Sequence, residues 1–274
     1  MPQTFRHPDI LEIARAEGKV TVDGLAERFG VSVQTIRRDL TDLARAGRLT
    51  RVHGGATLPS GIRNIVYEER RQLNSAAKEA IARTAAQMIP YNACIFLNIG
   101  TSTEALAREL IGHENLIVAT NNINVAQILA ANKNCQITLT GGSFRSGDGG
   151  LVGEMAAASL ENFKFDIAII GCSGVDTDGE LLDFDPQEVI VSRRALERSR
   201  GSILLADSSK FTRTAPVRIA SISQIDTIIS DKPLPTELSE RCASLDTEIQ
   251  ITKTDGQPRN KLDSRSRTRD SDLK

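Results

Sequence analysis

The stretch "VSVQTIRRDLTDLARAGRLTRVHGGA", residues 31–56, sets two adjacent arginines inside an amphipathic helix and follows them with a short basic hairpin. Read as a helix beginning after Ser32, it places Ile36, Leu40 and Leu43 at i, i+4 and i+7, one apolar stripe that must face a core. Gln34, Arg38, Thr41 and Arg45 repeat on the opposite face, flanked by Thr35 and Arg37. A basic face of this kind is often no more than solvated, so its meaning depends on what surrounds it.

Upstream, "TVDGLAERFG" reads as a short helix with Leu25, Ala26 and Phe29 on one side and Gly30 as its left-handed cap. Ser32 is placed to cap the next helix through its hydroxyl. "DILEIARAEG" gives a first helix with Ile10, Leu11 and Ile13 inward. Three helices with a tight turn between the second and third predict a helix-turn-helix, whose last helix enters the DNA major groove by its N-terminal end. Gln34, Thr35, Arg37 and Arg38 sit there. Gln can bond adenine in two places and Arg can do so for guanine, yet either Arg can equally hold a phosphate. "GRLTRVHGGA" predicts a two-stranded wing with Arg48, Arg51 and His53 along the DNA backbone, although His53 and the paired glycines also suit a plain turn. "VSVQTIRRDL" followed by "RVHGGA" resembles the winged-helix signature of DeoR-type bacterial transcriptional regulators.

A chain of 274 residues with average apolar and charged content accommodates two modest domains. Its net charge of −1 does not argue against DNA, because the basic residues cluster between Arg37 and Arg51. Cys94, Cys135, Cys172 and Cys242 form no C-x-x-C pair and lie in or beside apolar runs, as reduced thiols do. With His7, His53 and His113 as its histidines, the chain offers no metal-ligand pattern, and neither metal nor cofactor is expected. No apolar run approaches the roughly 20 residues a bilayer requires, so a cytoplasmic protein is expected.

Residues 1–57 are thus expected to form the DNA-binding domain, and 58–74, with Pro59, Gly61 and a charged run, a linker passing into a helix. From Ser75 to about residue 252, "ACIFLNI", "LIVAT", "QITLTGG", "FDIAIIG", "SILLAD" and "TIISD" alternate with helical stretches. That pattern predicts an α/β Rossmann-like domain with a mainly parallel sheet. Residues 253–274 lack apolar periodicity and are expected to be a disordered basic tail.

Ligands of such sheets bind at the carboxyl ends of the strands. "NIGTSTEAL" offers Gly100 for a close turn and Thr101, Ser102 and Thr103 at a helix N-terminus, an arrangement that suits an anion and equally suits simple capping. Asn121 and Asn122, then Gly141, Gly142 and Arg145, follow the next strands and are candidates for the same crevice. Asp178, Glu180 and Asp183 belong to an acidic loop that is as well explained by solvent exposure, whereas Asp176, Glu188, Asp207 and Lys210 stand at strand or helix ends. A carboxylate beside Lys210 could also do acid–base chemistry on a sugar phosphate, so an isomerase is the rival reading.

"KEAIA", "IGTSTEALA", "TNNINVA", "GGSFRSGDGGLVGE" and "ADSSKF" resemble the sensor domain of the same DeoR-type regulators, and the likeness runs from the first helix to about residue 250. The resemblance implies a fold shared with ribose-5-phosphate isomerase and CoA transferases, a repressor rather than an enzyme, and a phosphorylated effector. "TNNINVA", "RSGDGGLVGE" and "SGVDTDGELLDFDPQEV" together resemble a narrower group of these regulators, and that resemblance implies glycerol 3-phosphate as inducer. Many such regulators carry an aspartate where this chain has Asn98 and a lysine where it has Ser192, which leaves a proton-transfer set incomplete. Two-fold operators match two-fold proteins, so a homodimer or homotetramer on double-stranded DNA is expected.

Overall fold

The computed structural model describes residues 3–17, 19–46, 48–52, 54–57 and 67–252. The N-terminal domain runs α1 (Gln3–Glu17), β1 (Lys19–Thr21), α2 (Val22–Phe29), α3 (Val33–Arg45), β2 (Thr50–Val52) and β3 (Gly55–Thr57). Thr21 caps α2 by accepting from the Gly24 amide. Gly30 ends that helix at φ 61°, a left-handed conformation that costs glycine nothing, and turns its amide back onto the Ala26 and Glu27 carbonyls. Ser32 then caps α3 from the Thr35 amide. Ile36, Leu40 and Leu43 are buried with Ile10, Leu11, Leu25 and Leu49 in one core, each such side chain contributing roughly 1.5–3 kcal/mol.

Two features of this domain escape the hydrophobic periodicity. The wing is three-stranded, in the order β1-β3-β2, rather than two-stranded. β1 is only three residues long and lies between two helices, too short to show alternation. Gly55 makes the third strand feasible: a Cβ there would lie 2.0 Å from the Val20 carbonyl oxygen. The second feature is a buried ion pair, in which Arg6 of α1 donates from Nε and Nη2 to the two carboxylate oxygens of Asp39 on α3, at 2.8 and 3.2 Å.

The C-terminal domain begins with α4 (Tyr67–Gln72) and α5 (Ser75–Met88). There follow β4 (Cys94–Leu97), α6 (Thr101–Glu109), β5 (Leu116–Thr120), α7 (Ile123–Leu129), β6 (Cys135–Leu139), β7 (Ser143–Arg145), β8 (Gly150–Val152) and α8 (Glu154–Ala158). The chain continues through β9 (Phe165–Gly171), β10 (Gly174–Val175), β11 (Glu180–Asp183), α9 (Pro186–Glu197), β12 (Ser199–Leu205), β13 (Val217–Ser221), β14 (Thr227–Ser230), α10 (Thr236–Ser244) and β15 (Glu248–Ile251). Seven strands form one sheet in the order β15-β14-β12-β9-β4-β5-β6, every pair parallel. Ile95, Leu97, Ile169 and Leu205 pack one face against α5 and α6, while Phe96, Ala119 and Ala168 pack the other against α8 and α9. Burial on both faces explains the near-continuous apolar runs of these strands.

The strand order reverses direction between β4 and β9, so the loops after these two strands part and leave a crevice. A hairpin of β7 and β8 and a small antiparallel sheet β10-β11-β13 flank it. The span 58–74, read as a linker, contains α4, a helix docked on this domain. His53, residues 58–66 and the tail 253–274 lie outside the described residues.

Candidate functional site

On the N-terminal domain, Gln34, Arg37 and Arg38 are exposed together at the start of α3, as its apolar stripe requires. Thr35 shares its hydroxyl with Ser32, and Thr41 donates to the Arg37 carbonyl at 2.7 Å, so both hydroxyls already serve the helix. Arg51 is exposed on β2. Arg48 is exposed as well, and its Nη2 donates to Glu69 of α4 at 3.3 Å. Among the described residues no ion pair holds Arg37, Arg38 or Arg51, which leaves their guanidinium donors available to phosphates or base edges.

In the C-terminal domain one cleft occupies the point where the strand order reverses. Gly100, Thr101 and Ser102 line it from the loop after β4 and the first turn of α6. The first-turn amides of α6 have no acceptors within the helix and so can serve an anion. Cys172 and Ser173 line it after β9, Asp183 at the end of β11, Glu188 from α9, and Asp207, Ser209 and Lys210 after β12. Arg70 and Lys78 enter from α4 and α5, and Arg213 closes the rim.

Charge in the cleft is arranged by burial. The Asp207 carboxylate is nearly inaccessible, which alone would raise its pKa. Lys210, hydrogen bonds from Ser209 and Asn74, and Lys78 outweigh that and hold it below the ordinary value. Burial pushes Lys78 down to about 8 although Asp207 opposes the shift, and its ammonium donates to the Arg70 carbonyl. Lys210 is lowered by burial too, again with Asp207 opposing. Asp183 is raised by burial against the hydrogen bonds from the Phe184 amide and Ser173. Glu188 rises to about 8 through burial and its neighbour Asp183, with Arg145 opposing. Four basic side chains, Arg70, Lys78, Lys210 and Arg213, therefore face three carboxyls, and Glu188 among these is already held by Arg145. The cleft is net positive and suits a small anion that also carries hydroxyls.

The sequence-derived candidates divide at this cleft. Gly100, Thr101, Ser102, Glu188, Asp207 and Lys210 line it together, and Asp183 joins them from the acidic loop. Thr103 does not, because its hydroxyl donates to the Asn98 and Gly100 carbonyls inside the helix turn. Asn121 braces β8 through the Leu151 carbonyl, and Asn122 caps α7 while its amide reaches Glu104. Gly141 donates to Ser159, and Gly142, at φ 115°, packs so closely that a Cβ would meet the Val152 carbonyl oxygen at 2.7 Å. Asp176 accepts from the Glu180 amide within the β10–β11 turn.

Arg145 is the clearest correction. It lies behind the cleft, donating to Asp148 at 2.9 and 2.7 Å and to Asp185 and Glu188 at 2.5 Å each. Burial works against its charge, but those carboxylates raise its pKa further and occupy its fork. Sequence reasoning missed Arg70, Lys78, Ser173, Ser209 and Arg213. For Lys78 there was a signal, since it sits four residues before Ala82 on the same buried stripe as Ile81 and Ala85. Asn98 and Ser192, the two departures noted above, are both buried and hydrogen-bonded to each other at 3.4 Å. Asn98 also exchanges hydrogen bonds with the Gly171 backbone, so it stitches β4 to β9 beneath the cleft rather than lining it.

Residues 6–61 match the model of the DeoR-like helix-turn-helix domain and residues 73–232 that of the DeoR C terminal sensor domain. The chain is 43% identical over 240 residues to the glycerol-3-phosphate regulon repressor of Escherichia coli (strain K12), covering 88% of this chain and 95% of that protein. It is 34% identical over 250 residues to the HTH-type transcriptional repressor CsqR of the same organism, covering 91% and 96%. Among solved structures, ribose 5 phosphate isomerase A from Neisseria gonorrhoeae aligns with a TM-score of 0.38 at 15% identity, over 50% of this chain and 53% of that one. With a helix-turn-helix at one end, a net-positive cleft in a parallel sheet at the other, and both domain models matched in order, the chain belongs to the DeoR family of transcriptional regulators.

Proposed function

We infer that this protein represses transcription by binding operator DNA through α3 and the wing, and that a phosphorylated small metabolite, glycerol 3-phosphate first among them, releases it. The observation that carries the effector half is the cleft where the strand order reverses: Thr101 and Ser102, with their hydroxyls and the α6 amides, line it together with Lys210, under a net positive charge. Asp207 and Asp183 offer acceptors for hydroxyls on the same ligand. The relatives named as glycerol-3-phosphate regulon repressors point to the three-carbon polyol phosphate. The division between DNA-binding and sensing parts falls in 58–74, and the protein acts in the cytoplasm as a homodimer or homotetramer. Release requires the effector to bind more tightly to a conformer that grips DNA poorly, since equal affinity for both conformers shifts nothing.

Calorimetry tests this directly. Each charge-assisted hydrogen bond contributes roughly 1.5–3 kcal/mol, so two of them separate glycerol 3-phosphate from glycerol by about a hundredfold or more. Thr101→Ala and Lys210→Ala should each weaken glycerol 3-phosphate while leaving operator binding intact. Undiminished affinity in both variants places the phosphate elsewhere.

An isomerase is the second reading, favoured by a raised Glu188 and a lowered Lys210 in one cleft. We weigh it below the regulator because Lys210 lies against Asp207 and the N-terminal domain gives an isomerase no use. Turnover of ribose 5-phosphate or dihydroxyacetone phosphate that Lys210→Ala abolishes would reverse that order.

A further inference from the structure

Arg70 is the one basic group of the cleft that comes from α4, the first described element after the wing. Its hydrogen-bonding capacity is under-used. Nη2 reaches Asp148 at 3.3 Å, a long contact for a charged pair, and Nε is buried with no hydrogen-bond partner. Asp148 depends little on it, because Arg145 already holds that carboxylate by two shorter bonds of 2.9 and 2.7 Å. An arginine fork with a buried orphan donor, lining a net-positive cleft, fits a bidentate anion better than the partner it has.

The helix that carries Arg70 touches both halves of the molecule. Tyr67 donates to the Glu104 carboxylate and accepts from Asn124. The Arg70 carbonyl accepts from Lys78 and, at 3.5 Å, from Thr101 of the α6 turn. On the other side Glu69 accepts from Arg48, the residue that leads into β2 of the wing. The Arg48–Glu69 contact ties α4 to the residue that leads into the wing, so a shift of α4 bears on the DNA-binding domain there.

We propose that Arg70 is a ligand of the effector's anionic group, and that drawing it off Asp148 into the cleft moves α4 and thereby changes the hold on DNA. This rests on the reading of the cleft as the effector site. The atoms fixed to the sheet bind the anion, and Arg70 makes that binding felt at the wing.

Hydrogen exchange on the full chain, with calorimetry, tests it using glycerol 3-phosphate, ribose 5-phosphate and inorganic phosphate as probes. In the wild type a bound probe should change amide exchange across 67–73. Arg70→Gln should bind the probe about tenfold more weakly or worse, and at saturation should show no exchange change in 67–73 and no loss of affinity for an operator duplex selected with the wild type. Arg70→Lys, which keeps the charge and loses the fork, should fall between. Asp148→Asn loosens the hold on Arg70 while removing no residue of the cleft lining and should tighten binding several-fold, so the proposal stays testable if Arg70→Gln folds poorly. Wild-type affinity in a folded Arg70→Gln protein overturns the ligand assignment, and an exchange response at saturation in that variant overturns the coupling. Unchanged or weaker binding in Asp148→Asn counts against the proposal in the same way. Failure of the effector reading looks different: none of the three probes binds the wild type, and both ideas fall together.

Discussion

Replacing Arg6 by alanine should unfold the DNA-binding domain while sparing the sensor. Asp39 is fully buried on α3 and receives both bonds of the Arg6 fork, with His7 Nε2 3.5 Å away. Once the arginine is gone the fully buried carboxylate loses both short bonds and is left with His7 at 3.5 Å. Removing one partner of a buried pair typically costs about 3–5 kcal/mol, because the remaining charge is neither solvated nor paired. That is comparable to the whole stability of a small domain, which runs from about 5 kcal/mol upward. For a domain of this size each kcal/mol lowers Tm by about 4 °C or more, so a fall of at least about 12 °C is expected.

Scanning calorimetry of the full chain should show the lower transition shift or vanish and the sensor transition stay, with glycerol 3-phosphate binding kept and operator binding lost. The double replacement Arg6→Met with Asp39→Leu should recover much of the loss, since a buried pair often exchanges for apolar volume at little cost. An Arg6→Ala protein with both transitions at wild-type temperatures would refute the reasoning. It would mean that the Asp39 carboxylate finds water, or that the pair contributes nothing.

Three further outcomes are expected. Arg38→Ala should weaken operator binding by about 1–3 kcal/mol if that side chain reads a base, whereas Arg51→Ala should lower affinity for every sequence and flatten the salt slope by about one; filter binding across a salt series separates them. Lys78 keeps its proton to about pH 8 in the folded chain, against 10.5 for an ordinary lysine. Its burial penalty is therefore present below pH 8 and fades as pH rises from 8 to 10.5, so its contribution to stability grows over that window, while affinity for a phosphate dianion falls between pH 7 and 9. A flat calorimetric profile over that range, or one unaltered in Lys78→Arg, counts against the assignment. Asn98→Asp should destabilise the sensor by about 3–5 kcal/mol, because Ser192 offers no charge to the new carboxylate. Adding Ser192→Lys should restore part of it, and equal urea midpoints for Asn98→Asp and wild type would remove this account.

The helices and the long strands were legible because burial imposes a period on them: Ile36, Leu40 and Leu43 mark one helix face, and "FDIAIIG" marks a strand covered on both sides. β1 was not legible, since three residues carry no period and its place is set by Gly55 across the sheet. In the cleft, most of the residues found from sequence stand just after strand ends, where topology alone decides position, as Gly100, Thr101, Asp207 and Lys210 do. Arg145 misled because a cation after a strand looks the same whether it faces a ligand or three carboxylates, and Asp185 and Glu188 lie 40 and 43 residues away in the chain. Arg70 and Lys78 were missed for the opposite reason. They reach the cleft from helices that precede the sheet, and no strand end announces them.

That difference in origin bears on how release can work. An effector shifts two conformers only by the difference in its affinity for them, and about 5.5 kcal/mol of difference is needed to carry an equilibrium from 1:99 to 99:1. If release moves α4 and leaves the seven-stranded sheet in place, groups anchored to that sheet, Lys210 and the Thr101 amide among them, keep the same contacts to the anion and add affinity without adding bias. Bias has to come from a group whose distance to the anion differs between conformers, and under the proposed coupling that group is Arg70 on α4, which sits on Asp148 in this conformation. The two classes of variant should therefore fail differently in an operator-release titration. Lys210→Ala should need more glycerol 3-phosphate yet reach full release at saturation, whereas Arg70→Gln should saturate with operator still bound. Full release by saturated Arg70→Gln would place the bias in the sheet itself, and α4 would then be a tether and nothing more.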